Sequence, residues 1–180
     1  GHIMQINGNF DDALTLVRQL ESIDSVGIMN SINPYRPQGQ KTASFEICDA
    51  LGFASDEHFI PVGNAANIYS YWLGYKEYLS EGIVSTSPKM RGVQAQGSAP
   101  FVYGYPVENP ETLATAIRIG APASYEKALG ARDESGGSIT AVTDEKIIEA
   151  YKMIAAYDGI FVEPASAASV AGLLGAAERG

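Results

Sequence analysis

Apolar and polar positions along the chain follow two alternating rhythms. Short segments with the character of buried strands recur at "SVGIMNS" (Val26 to Met29), "HFIPV", "KMRGVQA", "SITAV" and "GIFVEP". Between them run segments with helical spacing. Asn9, followed by Asp11 and Asp12, predicts a helix cap and a first turn suited to the helix dipole, with the helix running to Leu20. "GQKTASFEICDALG" predicts a helix opened by Gly39, with Ala43, Ile47, Ala50 and Leu51 on one face and Gly52 as the stop. "AANIYSYWLGYKEYL" predicts a long helix, Thr143 caps another through Tyr157, and Ala165 to Ala177 closes the chain. Residues 97–137 are less regular and rich in Gly, Pro and Ser, with short helices expected around 111–118 and 124–130.

Strands and helices alternate at this spacing when parallel strands are joined by helical crossovers, so the fold class is α/β. No self-similarity of repeat length is present. The 180 residues suffice for one ordinary domain, or a domain and part of another.

Composition narrows the function classes. With 46% hydrophobic and 18% charged residues, the chain is globular. A net charge of -9 argues against nucleic acid or an anionic membrane as partner, because each demands a basic face. No apolar run approaches the ~20 residues of a membrane span. The single cysteine, Cys48, rules out an internal disulfide, suits a reducing compartment such as the cytoplasm, and reads as a small buried hydrophobe. Gly1-His2-Ile3-Met4 resemble the remnant of a cleaved tag, which leaves His58 as the native histidine and makes a His-centred triad or a multi-histidine metal site untenable.

Two loops carry candidate chemistry. In "IPVGNAANIYSYW" an apolar run stops at Gly63, and Asn64, Ala65, Ala66 and Asn67 precede an aromatic-rich helix. Unpaired amides and the dipole make a helix start an anion site, and small residues let a phosphate approach the backbone. Asn64 and Asn67 can add amide donors. The plain alternative is an asparagine-capped strand-to-helix turn. Neither Gly-x-x-x-x-Gly-Lys-Ser/Thr nor Gly-x-Gly-x-x-Gly is present.

The second loop is "NSINPYRPQGQKT", residues 30–42, at the same carboxyl edge of the predicted sheet, where open α/β folds bind ligands. Asn30, Ser31, Asn33 and Arg36 offer amides, a hydroxyl and a guanidinium. Arg36 between two prolines suits phosphate capture on a stiff segment, or else is a surface arginine in a proline-rich turn. Two such loops on one edge favour a doubly phosphorylated ligand or a phosphate-plus-cofactor site.

"QINGNFDDAL", "NSINPYRPQGQKTASFEI", "PVGNAANIYSYWLGY", "ATAIRIGAPAS" and "GIFVEPASAASVAGLL" together resemble the threonine synthases, a family of fold-type II pyridoxal-phosphate enzymes. The resemblance runs from about Gln5 to Gly175. It implies an open, mostly parallel twisted sheet with helices on both faces, with residues 5–30 ending a small domain and 31–180 forming part of a large cofactor-binding domain. It further implies that Gly63, Asn64, Ala65, Ala66 and Asn67 bind the phosphate of pyridoxal 5'-phosphate. Ser31, Arg36 and Asn64 would hold the phosphate of O-phospho-L-homoserine, which the enzyme converts with water to L-threonine and phosphate. A cytoplasmic homodimer is expected of the whole enzyme.

The sequence departs from the family pattern in two respects. Position 66 is Ala where the family usually has Gly, so a positive φ there would cost about 1 kcal/mol or more. The Schiff-base lysine of the family lies in a Ser-Phe-Lys-Asp type segment upstream of the residues present, and the group facing the pyridine nitrogen lies downstream. No catalytic residue is therefore assigned, and this chain alone is expected to be inert and to self-associate through exposed apolar surface. The alternatives are a non-catalytic phosphate- or cofactor-binding piece, or part of another fold-type II lyase such as a threonine dehydratase. Glu163 stays a weaker candidate beside the cofactor, the Ala165–Ser169 run reads as close helix–sheet packing, and "GAPAS" (120–124) is expected to line the site as backbone.

Overall fold

The computed structural model describes residues 3–8, 10–23, 25–29 and 33–180. Three strands, β1 (Glu57–Pro61), β2 (Lys89–Ala95) and β3 (Ser138–Val142), form one parallel sheet in the order β1-β2-β3. Eight α-helices accompany them among the described residues: α1 (Phe10–Leu20), α2 (Tyr35–Gln40), α3 (Thr42–Leu51), α4 (Ala66–Ser80), α5 (Pro100–Tyr103), α6 (Tyr125–Glu134), α7 (Asp144–Tyr157) and α8 (Pro164–Arg179). A 3₁₀ turn spans Thr115–Ile117.

The strands alternate their side chains between two cores. Ile60, Val62 and Met90 pack with Ile68, Trp72 and Tyr75 of α4, Cys48 of α3, and Ala128 and Ala131 of α6. Val93 and Ala95 pack with Ile147 and Ala150 of α7 and the alanines of α8. The sheet is thus covered on both faces, as a parallel sheet requires. Pro61 is accommodated because the neighbouring Val62 N–H makes the ladder bond, to Val93 O at 2.8 Å, and the position without a donor faces away from β2.

The expected small-residue packing of α8 is present. Ala165, Ala167, Ala168 and Ala171 are buried, and a Cβ on Gly172 would come within 2.4 Å of Val93 Cγ2. The α4 aromatics join this core: Trp72 and Tyr75 are buried, with Tyr71 and Tyr78 packed around them. Trp72 Nε1 donates to Glu134 Oε2 at 2.8 Å, tying α4 to α6. Cys48 is buried, and desolvation, with Asp49 beside it, pushes its thiol above the ordinary value. The Thr143 cap forms as read, its hydroxyl accepting from Lys146 N at 3.3 Å. Gly52 ends α3 in the left-handed region, φ 78°.

Several expectations fail for identifiable reasons. Val26 to Met29 form no strand; Met29 is 82% exposed and no described strand lies beside the segment. "GIFVEP" is likewise not a strand, and Ile160 and Phe161 face solvent. Both segments have β-forming side chains, but a strand exists only through a paired neighbour. The helix expected to open at Gly39 begins at Tyr35 and breaks at Lys41 into α2 and α3. The buried face of α3 is Ser44 and Cys48, while Ala50 and Leu51 are exposed. The helix expected at 111–118 shrinks to the 3₁₀ turn, the one at 124–130 extends to Glu134, and α5 was not foreseen.

Candidate functional site: an anion cleft at the carboxyl edge of the sheet

The chain leaves β1 at Pro61 and enters α4 at Ala66, so the connecting loop must turn within four residues. Two features make this possible. Gly63 lies against the 3₁₀ turn so closely that a Cβ would stand 2.9 Å from Ile117 Cα and 3.0 Å from Ala116 O. Ala65, the N-cap of α4, takes a left-handed conformation with φ 69°, and it is the one non-glycine among the described residues to do so. The strain anticipated at Ala66 therefore sits one residue earlier. Ala66 is an ordinary first helical residue.

Asn64 is held from across the chain. Its Oδ1 accepts the Ala123 N–H at 2.6 Å and its backbone O accepts the Ser124 N–H at 3.2 Å. "GAPAS" accordingly clamps the loop instead of lining the cleft. With its oxygen engaged, Asn64 presents its Nδ2 as a buried donor with no hydrogen-bond partner. Asn67 behaves differently from expectation: its Nδ2 donates to Pro61 O at 2.6 Å, so that amide braces the loop. No side chain caps the start of α4, which leaves the amides of its first turn to be satisfied from outside the helix.

Arg36 lies in the first turn of α2, not in a loop ahead of the helix. Pro37 fits there because a first-turn N–H has no intrahelical acceptor to lose. Asn33 is consumed in building that turn: its Oδ1 accepts from Tyr35 N at 2.8 Å and its Nδ2 donates to Ile28 O at 2.6 Å. Asn30 and Ser31 lie outside the described residues.

These elements meet in one cleft of about 240 Å³. Arg36 and Gln40 of α2 line one side and Gly63 to Asn67 another. Ala116 and Ile117 of the 3₁₀ turn and Glu163, Ala165 and Ser166 at the start of α8 complete it. The starts of two helices, α4 and α8, therefore border the same space, and their dipoles favour an anion. Arg36 and Glu163 are the charged side chains on the lining. Gln40 was missed because the helix was read as opening at Gly39; once α2 starts at Tyr35, Gln40 stands four residues from Arg36 on the same face. Ser166 was read only as a packing residue.

Among the described residues no lysine lines this cleft. Lys41, nearest in sequence to Arg36, pairs with Glu77 and lies over the Phe45 ring at 5.9 Å. No group of three or more His, Cys, Asp or Glu side chains among the described residues could hold a metal ion. No described helix is long and apolar enough to cross a membrane.

The chain is 58% identical over 172 residues to the threonine synthase of Synechocystis sp., which covers 96% of this chain and 45% of that protein. It is 54% identical over 179 residues to the threonine synthase of Mycobacterium leprae, covering 99% of this chain and 50% of that one. The chain thus spans about half the length of the curated relatives it matches. Among solved structures, maize serine racemase shares the fold with a TM-score of 0.75 at 21% identity, over 97% of this chain and 52% of that one. Residues 1–180, the loop at 63–67 and the Arg36 turn among them, match one family throughout, and the chain belongs to the pyridoxal-phosphate dependent enzymes.

Proposed function

We propose that this chain forms the phosphate-binding portion of a threonine synthase, which converts O-phospho-L-homoserine and water to L-threonine and phosphate. One observation carries the reading: Arg36 and the Gly63–Asn67 loop, on separate elements, line a single cleft. The two relatives named above, both threonine synthases, support the same reading.

The residues present fit a phosphate-bearing cofactor. Asn64 buries an amide donor without a partner, and the first turn of α4 has no side-chain cap. In this reading the amides from Gly63 to Asn67 hold the cofactor's phosphate. Arg36 and Asn64, with Ser31 from outside the described residues, hold the substrate's. When bound, pyridoxal phosphate supplies the electron sink for the chemistry at the amino-acid carbons. Arg36 contributes by gripping the phosphate as negative charge gathers on it during departure. The Ala123–Asn64 bond fixes the Asn64 side chain, so the loop need not reorganise as charge develops. Residues 5–30 would end a small domain and 31–180 belong to the large one.

Such a reaction needs an activated amine to carry protons, and no lysine among the described residues reaches the cleft. The isolated 180-residue chain is therefore inert in this reading. The test is titration with pyridoxal phosphate, borohydride reduction and peptide mapping, alongside an assay for phosphate release. Weak, scattered labelling without phosphate release is expected. One lysine labelled at one equivalent would overturn the inertness. Unchanged phosphate affinity in Arg36→Ala would overturn the substrate assignment and favour a dehydratase or a non-catalytic binding piece.

A further inference from the structure

The cleft read as an anion site contains a carboxylate. Glu163 is exposed at the lip of α8 and lines the same 240 Å³ as Arg36 and Asn64. A glutamate at a helix start ordinarily serves the helix, accepting an amide hydrogen bond or complementing the dipole. Here the side chain makes no cap bond. The capping is done by the Glu163 backbone carbonyl, which accepts from Ser166 N at 3.0 Å and Ala167 N at 3.2 Å. The carboxylate is not spent on Arg36 either. The ion pairs among the described residues lie elsewhere, and neither Arg36 nor Glu163 takes part in one.

We propose that Glu163 is a counter-charge that limits how tightly the cleft holds phosphate, and so a residue that sets the affinity of the anion site. The inference rests on the anion-site reading of the preceding subsection. The physical case is one of opposing terms. Arg36, two helix starts and the unpartnered Asn64 donor all draw a phosphate in. If nothing opposed them, the phosphate set free by the reaction would remain bound and block the next substrate. A space this small keeps its lining groups within about one Debye length, ~8 Å, of an ion bound inside it. Glu163 therefore repels that ion at short range, and the same repulsion lets the released phosphate leave more readily. Each unit of charge removed at position 163 is expected to change phosphate affinity by about two- to five-fold at low salt.

The experiment titrates inorganic phosphate into the 180-residue chain and its Glu163→Gln, Glu163→Lys and Arg36→Gln variants, at low and high salt, with the thermal midpoint of each recorded. Affinity should rise from the parent through Glu163→Gln to Glu163→Lys, and the steps should shrink at high salt. Arg36→Gln should bind more weakly than the parent. If Glu163→Gln binds phosphate no more tightly while Arg36→Gln is still weakened, Glu163 is no counter-charge and the inference falls alone. If Arg36→Gln binds as tightly as the parent, the anion-site reading itself falls. Absence of measurable binding in the parent and both Glu163 variants would overturn both. Glu163→Gln is close to isosteric at an exposed position with no cap bond to lose, so it remains decisive even if Glu163→Lys destabilises α8.

Discussion

Ala123 and Asn64, 59 positions apart, are joined by a hydrogen bond of 2.6 Å from the Ala123 N–H to Asn64 Oδ1. That bond decides what Asn64 can offer. The amide oxygen is occupied, the Nδ2 is buried, and no described group accepts from it. An unsatisfied buried donor costs about 1–3 kcal/mol, and such groups persist where a ligand supplies the missing acceptor.

Asn64→Asp separates the two duties of this side chain. Aspartate keeps an oxygen for the Ala123 N–H, but replaces the buried donor with an acceptor that carries charge. The loop should stay folded, while affinity for inorganic phosphate and for pyridoxal phosphate drops at least about ten-fold, the equivalent of ~1.4 kcal/mol. Isothermal titration with a parallel melting curve checks it. Retained phosphate affinity would remove Asn64 from the site.

The conformation of Ala65 yields a second expectation. A left-handed conformation costs an L-residue with a Cβ about 1–2 kcal/mol, which glycine avoids. Against this, Ala65 is only 2% exposed, and removing its buried methyl forfeits about 0.8 kcal/mol. The two terms nearly cancel, so Ala65→Gly should lie within about 1 kcal/mol of the parent, on the more stable side. Ala66→Gly has only the helical penalty, about 0.5–1 kcal/mol of destabilisation. Urea unfolding of the two variants side by side measures the difference. Ala65→Gly being the more destabilised of the pair would contradict the backbone geometry.

How much of this was legible in the sequence follows the range of the interactions concerned. β2 and β3, the Thr143 cap and the Gly52 stop are local: each depends on a few adjacent residues and appeared where the pattern put it. "SVGIMNS" and "GIFVEP" have equally strand-like side chains, yet strandedness depends on a neighbour that the segment itself does not specify. Within the cleft, the glycine and asparagines marked the loop correctly. What they could not reveal was the division of labour. Asn67 spends its amide on Pro61, Asn33 spends its own on Ile28, and among these described asparagines Asn64 retains a buried donor without a partner. That outcome is set by Ala123, a residue with no distinguishing chemistry. Arg36 was found by its charge and misplaced in conformation: the flanking prolines suggested a stiff loop, whereas a proline is tolerated in a helix's first turn.

His58 provides a pH test of the core beneath the site. It lies on β1 with Nδ1 2.8 Å from the Tyr75 hydroxyl of α4, and burial pulls its imidazole below the ordinary value. The unfolded chain therefore takes up the proton near pH 6.5 while the folded chain still resists it. Stability from this group is fully present above the unfolded value and is lost as pH falls through it toward the folded value. A plot of unfolding free energy should be flat from about pH 8 to 7, then fall below about pH 6.5 with a slope up to ~1.4 kcal/mol per pH unit. The carboxylates contribute their own losses only nearer pH 5, which separates the two effects. In His58→Gln, which keeps a hydrogen-bonding group beside Tyr75 but cannot be protonated, the fall between pH 7 and 5.5 should disappear. Urea midpoints across that range decide the matter: an undiminished slope in the variant would mean that the histidine stays solvated enough to titrate normally in the folded chain.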